Sequence, residues 1–188
     1  MATKKIIIAG SGGQGALRAG QLLAQASLGS GWEVEWFPSY GAEMRGGTAN
    51  CHVTISDSNI DFPMIEDPDF CLIMNGMSYQ RFTPYLKKGA SLITNCSMID
   101  DRLSNPDVRE YAIPADSIAE EEGNPRGTNM VMLGALIALM DTITLDSINR
   151  VIEDNFSGAK ERYVIPNQIL VKRGYEYVKD SGNQMLGG

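Results

Sequence analysis

Residues near the amino terminus have the spacing of a phosphate-binding turn. Residues 10–15 read G-S-G-G-Q-G, which matches G-x-G-x-x-G, and they lie between a predicted strand and a predicted helix. Glycines permit a tight turn and let an anion approach the backbone, and unpaired N–H groups at a helix start favour negative charge. The motif predicts either a nucleotide-type anion site or a turn whose glycines only allow close packing. The residues of this candidate site are Gly10, Gly12, Gly13, Gln14 and Gly15.

Two acidic residues support one specific version of the anion site. Glu33 and Glu35 follow the turn by about twenty residues, where dinucleotide-binding folds place the acid that binds a ribose hydroxyl. A free-standing NAD(P)-dependent dehydrogenase that uses Glu35 is therefore one hypothesis. No hydride-transfer site or substrate domain is evident beside it. A non-catalytic interaction module of another complex is a further hypothesis.

Two later motifs each place an arginine among turn residues. Residues 38–48 read P-S-Y-G-A-E-M-R-G-G-T, and residues 123–131 read G-N-P-R-G-T-N-M-V. An arginine in such a loop can bind a carboxylate or phosphate with two parallel hydrogen bonds. The alternatives are an exposed Glu43–Arg45 ion pair in the first motif and, in the second, a core helix capped by Thr128 or Asn129.

The residues that usually form catalytic or metal sites are scarce. The chain has three cysteines and one histidine, and it contains no C-x-x-C. The usual spacing for an iron–sulfur cluster or a structural zinc is therefore missing. His52 lies on an alternating strand, where a surface role is expected. We predict no self-sufficient catalytic set and no metal site.

Composition narrows the class of partner and the location. The formal net charge is −7, and nucleic-acid binding requires a basic surface that neutralises phosphates. The longest apolar stretch, residues 131–140, is too short to span a bilayer. We expect a cytoplasmic protein without a nucleic-acid or membrane partner.

The elements that must position these motifs alternate between strand and helix. Apolar runs and alternation predict strands over residues 4–9, 32–37, 50–56, 70–74, 90–94 and 110–113. Helical periodicity and cap residues predict helices over residues 16–28, 78–86, 114–122, 128–139, 145–156 and 166–179.

This order predicts an α/β fold: a Rossmann-like open, mainly parallel sheet flanked by helices. The first two strands are expected to be neighbours, because a helix connects them. A β-hairpin insertion is expected after the second strand, in which residues 60–62 pair back on residues 50–56. One domain is predicted over residues 1–180, with a flexible tail over residues 181–188.

Taken together, in this order and spacing, the motifs resemble the gamma domain of pyruvate and other 2-oxoacid:ferredoxin oxidoreductases. The resemblance covers residues 4–177 and includes I-D-F-P at 60–63, D-P-D at 67–69, Asn124-Pro125 before N-M-V-M-L-G at 129–134, and the late Asn167 and Gly174. The form E-M-R-G-G-T-A-N is most similar to 2-oxoglutarate-type gamma subunits, with branched-chain types as neighbours.

The resemblance implies a division of labour among chains. Alpha, beta and delta subunits are the implied partners. Thiamine diphosphate with Mg²⁺ lies between alpha and beta, and the [4Fe-4S] clusters lie in beta and delta. A 2-oxoacid is decarboxylated, its electrons pass to ferredoxin and its acyl group passes to coenzyme A. This chain would hold no cofactor by itself and would be inactive alone.

The resemblance also implies roles for the motif residues. The glycine turn and Arg45 are expected close to coenzyme A or at a subunit interface. The expected interface residues are Tyr40, Glu43, Met44, Arg45, Arg126 and Asn129.

Overall fold

In the computed structural model, which describes residues 2–40, 48–60 and 64–182, six strands and six helices largely alternate along the chain. The strands are β1 (Thr3–Ser11), β2 (Glu33–Tyr40), β3 (Thr48–Ser56), β4 (Phe70–Ile73), β5 (Ser91–Asn95) and β6 (Arg109–Ile113). The helices are α1 (Ala16–Gly29), α2 (Gly76–Phe82), α3 (Ala115–Glu121), α4 (Thr128–Leu139), α5 (Leu145–Asn155) and α6 (Val164–Gly182). The six helices and six strands predicted from periodicity and cap residues are all present, with shifts of a few residues at the ends.

All six strands form one sheet, in the order β2-β3-β1-β4-β5-β6. The pairs β1–β4, β4–β5 and β5–β6 are parallel, whereas β3 is antiparallel to both β1 and β2. Five strands therefore run in one direction, and the prediction of a mainly parallel α/β sheet is confirmed. The predicted adjacency of β1 and β2 is wrong, because β3 lies between them. Ile60 belongs to no strand, and residues 61 and 62, which were predicted to pair back, lie outside the described residues.

Strand β3 is buried on both faces, which corrects the expectation of one solvated face. Cys51, Val53 and Ile55 point into the main core, and His52 and Thr54, on the other face, are also buried. The physical reason is that both faces are covered: α1 packs against one face, and on the other face the chain after β3 returns over His52, whose Nδ1 accepts a hydrogen bond from the Ile65 N–H. His52 is therefore not a surface residue.

The two faces of the sheet are covered unequally. Alternate residues of β1 belong to different cores: Ile6 and Ile8 belong to the core to which α1, α3, α4, α5 and α6 contribute, whereas Ile7 and Ala9 belong to a smaller core with Tyr79 of α2 and with loop residues. This alternation follows from the two-residue period of a strand. β1 is consequently buried on both sides and fixes the centre of the domain.

Helix α4 is buried around its circumference by other parts of the same chain. Much of this cover is provided by α6. An added Cβ at Gly134 would meet the Val171 carbonyl oxygen, and one at Gly174 would meet the Val131 carbonyl oxygen. The two helix backbones are thus in direct contact, which only glycine permits at these two positions.

The carboxyl-terminal helix is longer than predicted. α6 continues through Gly182 and so includes two residues that sequence analysis placed in the tail, while residues 183–188 lie outside the described residues. Among the described helices, none is both long enough and apolar enough to cross a membrane.

We expect Gly174→Ala to lower the free energy of unfolding by about 2 kcal/mol or more, because the new methyl group would force α4 and α6 apart. Gly29→Ala is the matched control, since an added Cβ there meets nothing within 4 Å, and we expect a change within about 0.5 kcal/mol. Urea unfolding of the three proteins measures both values. Equal stability of Gly174→Ala and Gly29→Ala would show that the two helices are not packed this closely.

Candidate functional site

The glycine motif forms the connection between β1 and α1. The Gln14 N–H donates to the Ser11 carbonyl oxygen at 3.1 Å, which closes a tight turn. Gly13 has φ 94° and Gly15 has φ 79°, a region that side-chain-bearing residues rarely adopt. Gly15 is also the N-cap of α1 and supplies no side-chain cap. The tip of the turn, Gly12 and Gly13, is exposed.

The Gln14 side chain points back into the chain. Its Oε1 accepts a hydrogen bond from the Ser11 N–H at 2.6 Å, and its Nε2 donates to the Met74 carbonyl oxygen at 3.3 Å. Both the oxygen and the nitrogen of the Gln14 amide are therefore engaged within the chain. Its amide is used to hold the turn, and its oxygen occupies an N–H donor that an anion would otherwise use.

Asparagine side chains at the ends of neighbouring strands support this edge of the sheet. Asn75 follows β4, donates to Ser11 Oγ and to Gln14 Oε1, and caps α2. Asn95 ends β5 and donates to Asp116 Oδ2 at 3.3 Å. Sequence analysis missed both residues. The signal was available, because carboxyl ends of parallel strands meet at one edge and each asparagine directly follows an apolar run.

The first and third motifs meet in one cleft at this edge. The cleft has a volume of about 480 Å³ and is lined by Gly13, Gln14, Asp116, Pro125, Arg126 and Thr128. Arg126 is exposed and supplies a positive charge beside the turn. Asp116, in the first turn of α3, supplies a negative charge and accepts a hydrogen bond from the Thr128 hydroxyl at 2.6 Å.

Neither predicted cap of α4 is confirmed. Gly127 is the N-cap, and no side chain caps the helix. Thr128 bonds to Asp116 instead, while Asn129 is buried and its Nδ2 donates to the Gly15 carbonyl oxygen at 3.3 Å. The Asn129 amide is thus used inside the chain, and the interface role expected of this residue stays a prediction.

The second motif is described only at its flanks. Tyr40 ends β2 and pairs with Ala49, and Thr48 begins β3 and pairs with Ser11. Both flanks therefore lie at the edge where the glycine turn begins. Glu43, Met44 and Arg45 lie outside the described residues.

The acids proposed for a dinucleotide ribose lie at the opposite edge. Glu33 and Glu35 begin β2 and pair with Ser56 and Thr54, and these residues in turn pair with Thr3 and Lys5. From Lys5 to Ser11 the strand rises about 20 Å, so Glu35 cannot contact a ribose bound at the turn. The hypothesis of an NAD(P)-dependent dehydrogenase depended on Glu35 as the ribose-binding acid, and the position of Glu35 does not support it.

The cysteines do not form a metal-binding group. Burial raises the pKa of Cys51 and of Cys71 to about 12, which keeps both thiols protonated and unsuited to bind a metal. Within residues 2–40, 48–60 and 64–182, no three His, Cys, Asp or Glu side chains come together as a possible metal site. An iron–sulfur cluster does not fit the described residues.

An anionic ligand fits part of the cleft. No side chain caps the first turn of α1 or of α4, helix starts favour negative charge, and Arg126 lines the cleft beside the glycine turn. Asp116 limits this fit, because a phosphate placed next to its carboxylate would be repelled. The fold and the site thus define a nucleotide-binding-type α/β domain with a polar cleft at the carboxyl edge of its sheet.

Comparison with known proteins identifies the family. A family model for pyruvate ferredoxin/flavodoxin oxidoreductase matches residues 5–177. The chain is 34% identical over 181 residues to the 2-oxoglutarate synthase subunit KorC of Methanocaldococcus jannaschii. This match covers 94% of this chain and 95% of that subunit. It is 33% identical over 178 residues to the ketoisovalerate oxidoreductase subunit VorA of Methanothermobacter thermautotrophicus, of which it spans only 37%.

Solved structures share the fold. The 2-oxoglutarate:ferredoxin oxidoreductase of Magnetococcus marinus, solved with 2-oxoglutarate, coenzyme A and succinyl-CoA bound, is 27% identical with a TM-score of 0.88; the match covers 96% of this chain and 32% of that one. The pyruvate oxidoreductase subunit PORC of Thermotoga maritima is 26% identical with a TM-score of 0.75, and the match covers 94% and 97% of the two chains. This chain belongs to the pyruvate ferredoxin/flavodoxin oxidoreductase family, in which it is of the gamma type.

His52 predicts a pH dependence of stability. Burial, and secondarily the charge of Arg81, lower the pKa of His52 in the folded chain. As pH falls through the unfolded-state value of about 6.5, the unfolded chain binds the proton first, so folding loses stability until the folded pKa is passed. We expect the melting temperature of the wild type to fall more between pH 7.5 and pH 5.0 than that of His52→Gln. Parallel decreases in the two proteins would contradict this role.

Proposed function

We propose that this chain is the gamma subunit of an enzyme that oxidatively decarboxylates a 2-oxoacid, transfers the acyl group to coenzyme A and passes the electrons to ferredoxin. The observation that carries the proposal is the match to KorC over nearly the full length of both chains. The remaining chemistry belongs to companion alpha, beta and delta chains. Thiamine diphosphate, Mg²⁺ and [4Fe-4S] clusters would be bound there, in keeping with the buried, protonated thiols of this chain.

The carboxyl edge is the surface that would face the companion chains. It combines the exposed tip at Gly12 and Gly13 with Arg126 and the flanks of the second motif. A protein with a formal net charge of −7 needs a local positive group to approach an anionic ligand. Arg126 supplies one such group, and Arg45 is proposed as a second. Both would lie close to the phosphates of coenzyme A.

We propose 2-oxoglutarate as the substrate of the assembled enzyme. KorC matches end to end, and the structure with the TM-score of 0.88 is a 2-oxoglutarate enzyme. The match to VorA, over 94% of this chain, favours a branched-chain 2-oxoacid as the second candidate. The substrate pocket itself would lie in other chains.

The complex purified from its native cell through a tag on this chain tests the assignment. We expect companion chains that carry thiamine diphosphate and iron–sulfur clusters, and coenzyme A-dependent reduction of ferredoxin that is faster with 2-oxoglutarate than with 2-oxoisovalerate or pyruvate. Faster turnover of 2-oxoisovalerate would make a branched-chain 2-oxoacid the substrate and would leave the assignment of this chain as a gamma subunit unchanged. Recovery of the chain without such companions would overturn the assignment.

In that complex, we expect Arg126→Ala and Arg45→Ala each to raise the KM for coenzyme A about five- to tenfold, because each removes a charge-assisted hydrogen bond. Arg150→Ala is the matched control, since Arg150 is exposed on α5 away from the carboxyl edge. The KM for the 2-oxoacid should not change. Loss of assembly in either variant would instead make that arginine an interface residue, and values equal to those of Arg150→Ala would contradict its proposed position.

A further inference from the structure

The glycine turn is fixed at its base and open at its tip. At the base, Ser11 and Gln14 bond to Met74 and Asn75, which directly follow the neighbouring strand β4. At the tip, an added Cβ on Gly12 or Gly13 would meet nothing within 4 Å. A segment with several glycines has large conformational freedom. The contacts at its base are therefore what hold it in one shape.

Asn75 makes two of these contacts. Its side chain is buried, at 7% exposure. Its Nδ2 donates to Ser11 Oγ and, at 3.3 Å, to Gln14 Oε1. Its Oδ1 accepts from the Ser78 N–H at 2.8 Å and so caps α2. One amide thereby joins the turn after β1 to the helix after β4.

We propose that Asn75 is a positioning residue for the site at the carboxyl edge: it fixes the glycine turn in the conformation presented to companion chains and coenzyme A, an inference that rests on the proposed function. Asn75 does not touch the ligand in this account. It acts through Gln14, whose Oε1 it holds against the Ser11 N–H. Because Gln14 also lines the cleft beside Arg126, a displaced Gln14 would change the shape of the cleft.

The two atoms of the Asn75 amide have different tasks, so positioning of the turn can be separated from capping of α2: Nδ2 donates to the turn, and Oδ1 caps the helix. Aspartate is as good an N-cap as asparagine, so Asn75→Asp keeps the acceptor for Ser78. The substitution removes both donated hydrogen bonds and places a carboxylate against Gln14 Oε1, which is itself an acceptor. Asn75→Asp should therefore release the turn while α2 stays capped.

The first measurement is backbone hydrogen exchange on the full chain. With Asn75→Asp we expect the amides of Ser11 and Gln14, which donate to Gln14 Oε1 and to the Ser11 carbonyl oxygen, to exchange about tenfold faster or more, because two hydrogen bonds that stabilise the turn are lost, while the amides of α2 exchange as in the wild type. Asn59→Asp is the matched control, since it adds the same charge at an exposed position after β3. Unchanged exchange at Ser11 and Gln14 would overturn the proposal.

The second measurement is steady-state kinetics of the assembled enzyme. We expect Asn75→Asp to raise the KM for coenzyme A several-fold and to leave kcat within about twofold, because Asn75 touches no reacting atom. A purely structural defect would lower the amount of active enzyme and leave KM unchanged, and that result would contradict the proposal. If the wild-type complex itself shows no coenzyme A-dependent activity, the proposed function fails and the exchange result still tests the turn.

A second variant covers the case in which Asn75→Asp does not fold. Ser11→Ala removes one acceptor of Asn75 and leaves the cap of α2 intact. It should change exchange and KM in the same direction by a smaller factor. Wild-type values in both measurements would overturn the proposal.

Discussion

The antiparallel pairing of β3 with β1 is the constraint on which the site depends. It places Thr48 directly opposite Ser11, so the flank of the second motif begins beside the glycine turn although the two are far apart in sequence. In a fold with adjacent β1 and β2, the same chain would carry Glu35 in a parallel neighbour of β1. Instead, β3 separates those strands, and Glu33 and Glu35 lie at the amino edge because they begin β2.

The rest of the domain serves to hold that edge rigid. β1 is buried on both faces, and α4 lies against α6 with backbone contact at Gly134 and Gly174. This close contact positions α4 so that its amino end lies beside the glycine turn, where Asn129 Nδ2 donates to the Gly15 carbonyl oxygen. The outcome is an open surface with a fixed shape. Such a surface would suit the proposed role of this chain beside a site built by companion chains.

The sequence predicted the elements well and their arrangement less well. Apolar runs such as Ile6–Ile8 and helix caps such as Thr144, whose hydroxyl accepts a hydrogen bond from the Ser147 N–H, are local signals. The strands and helices that such signals predict are present in the structure. Strand order is set by long-range pairing, which local periodicity does not contain, so the position of β3 was missed. The same reason explains Gln14: nothing near it in sequence shows that the Met74 carbonyl oxygen will lie within reach. Family membership was predictable because two motifs with fixed chemistry and order are far more specific than one glycine pattern.

We propose that the chain meets the active site of its companion chains at the carboxyl edge of this sheet. An electron cryomicroscopy structure of the complete enzyme with coenzyme A bound measures this directly, as the distance from Gly12 and Arg126 to the nearest atom of another chain or of coenzyme A. The account predicts contact within about 4 Å, the range of van der Waals packing. A structure in which both residues face solvent, with the companions bound at the amino edge or on α5, would contradict it.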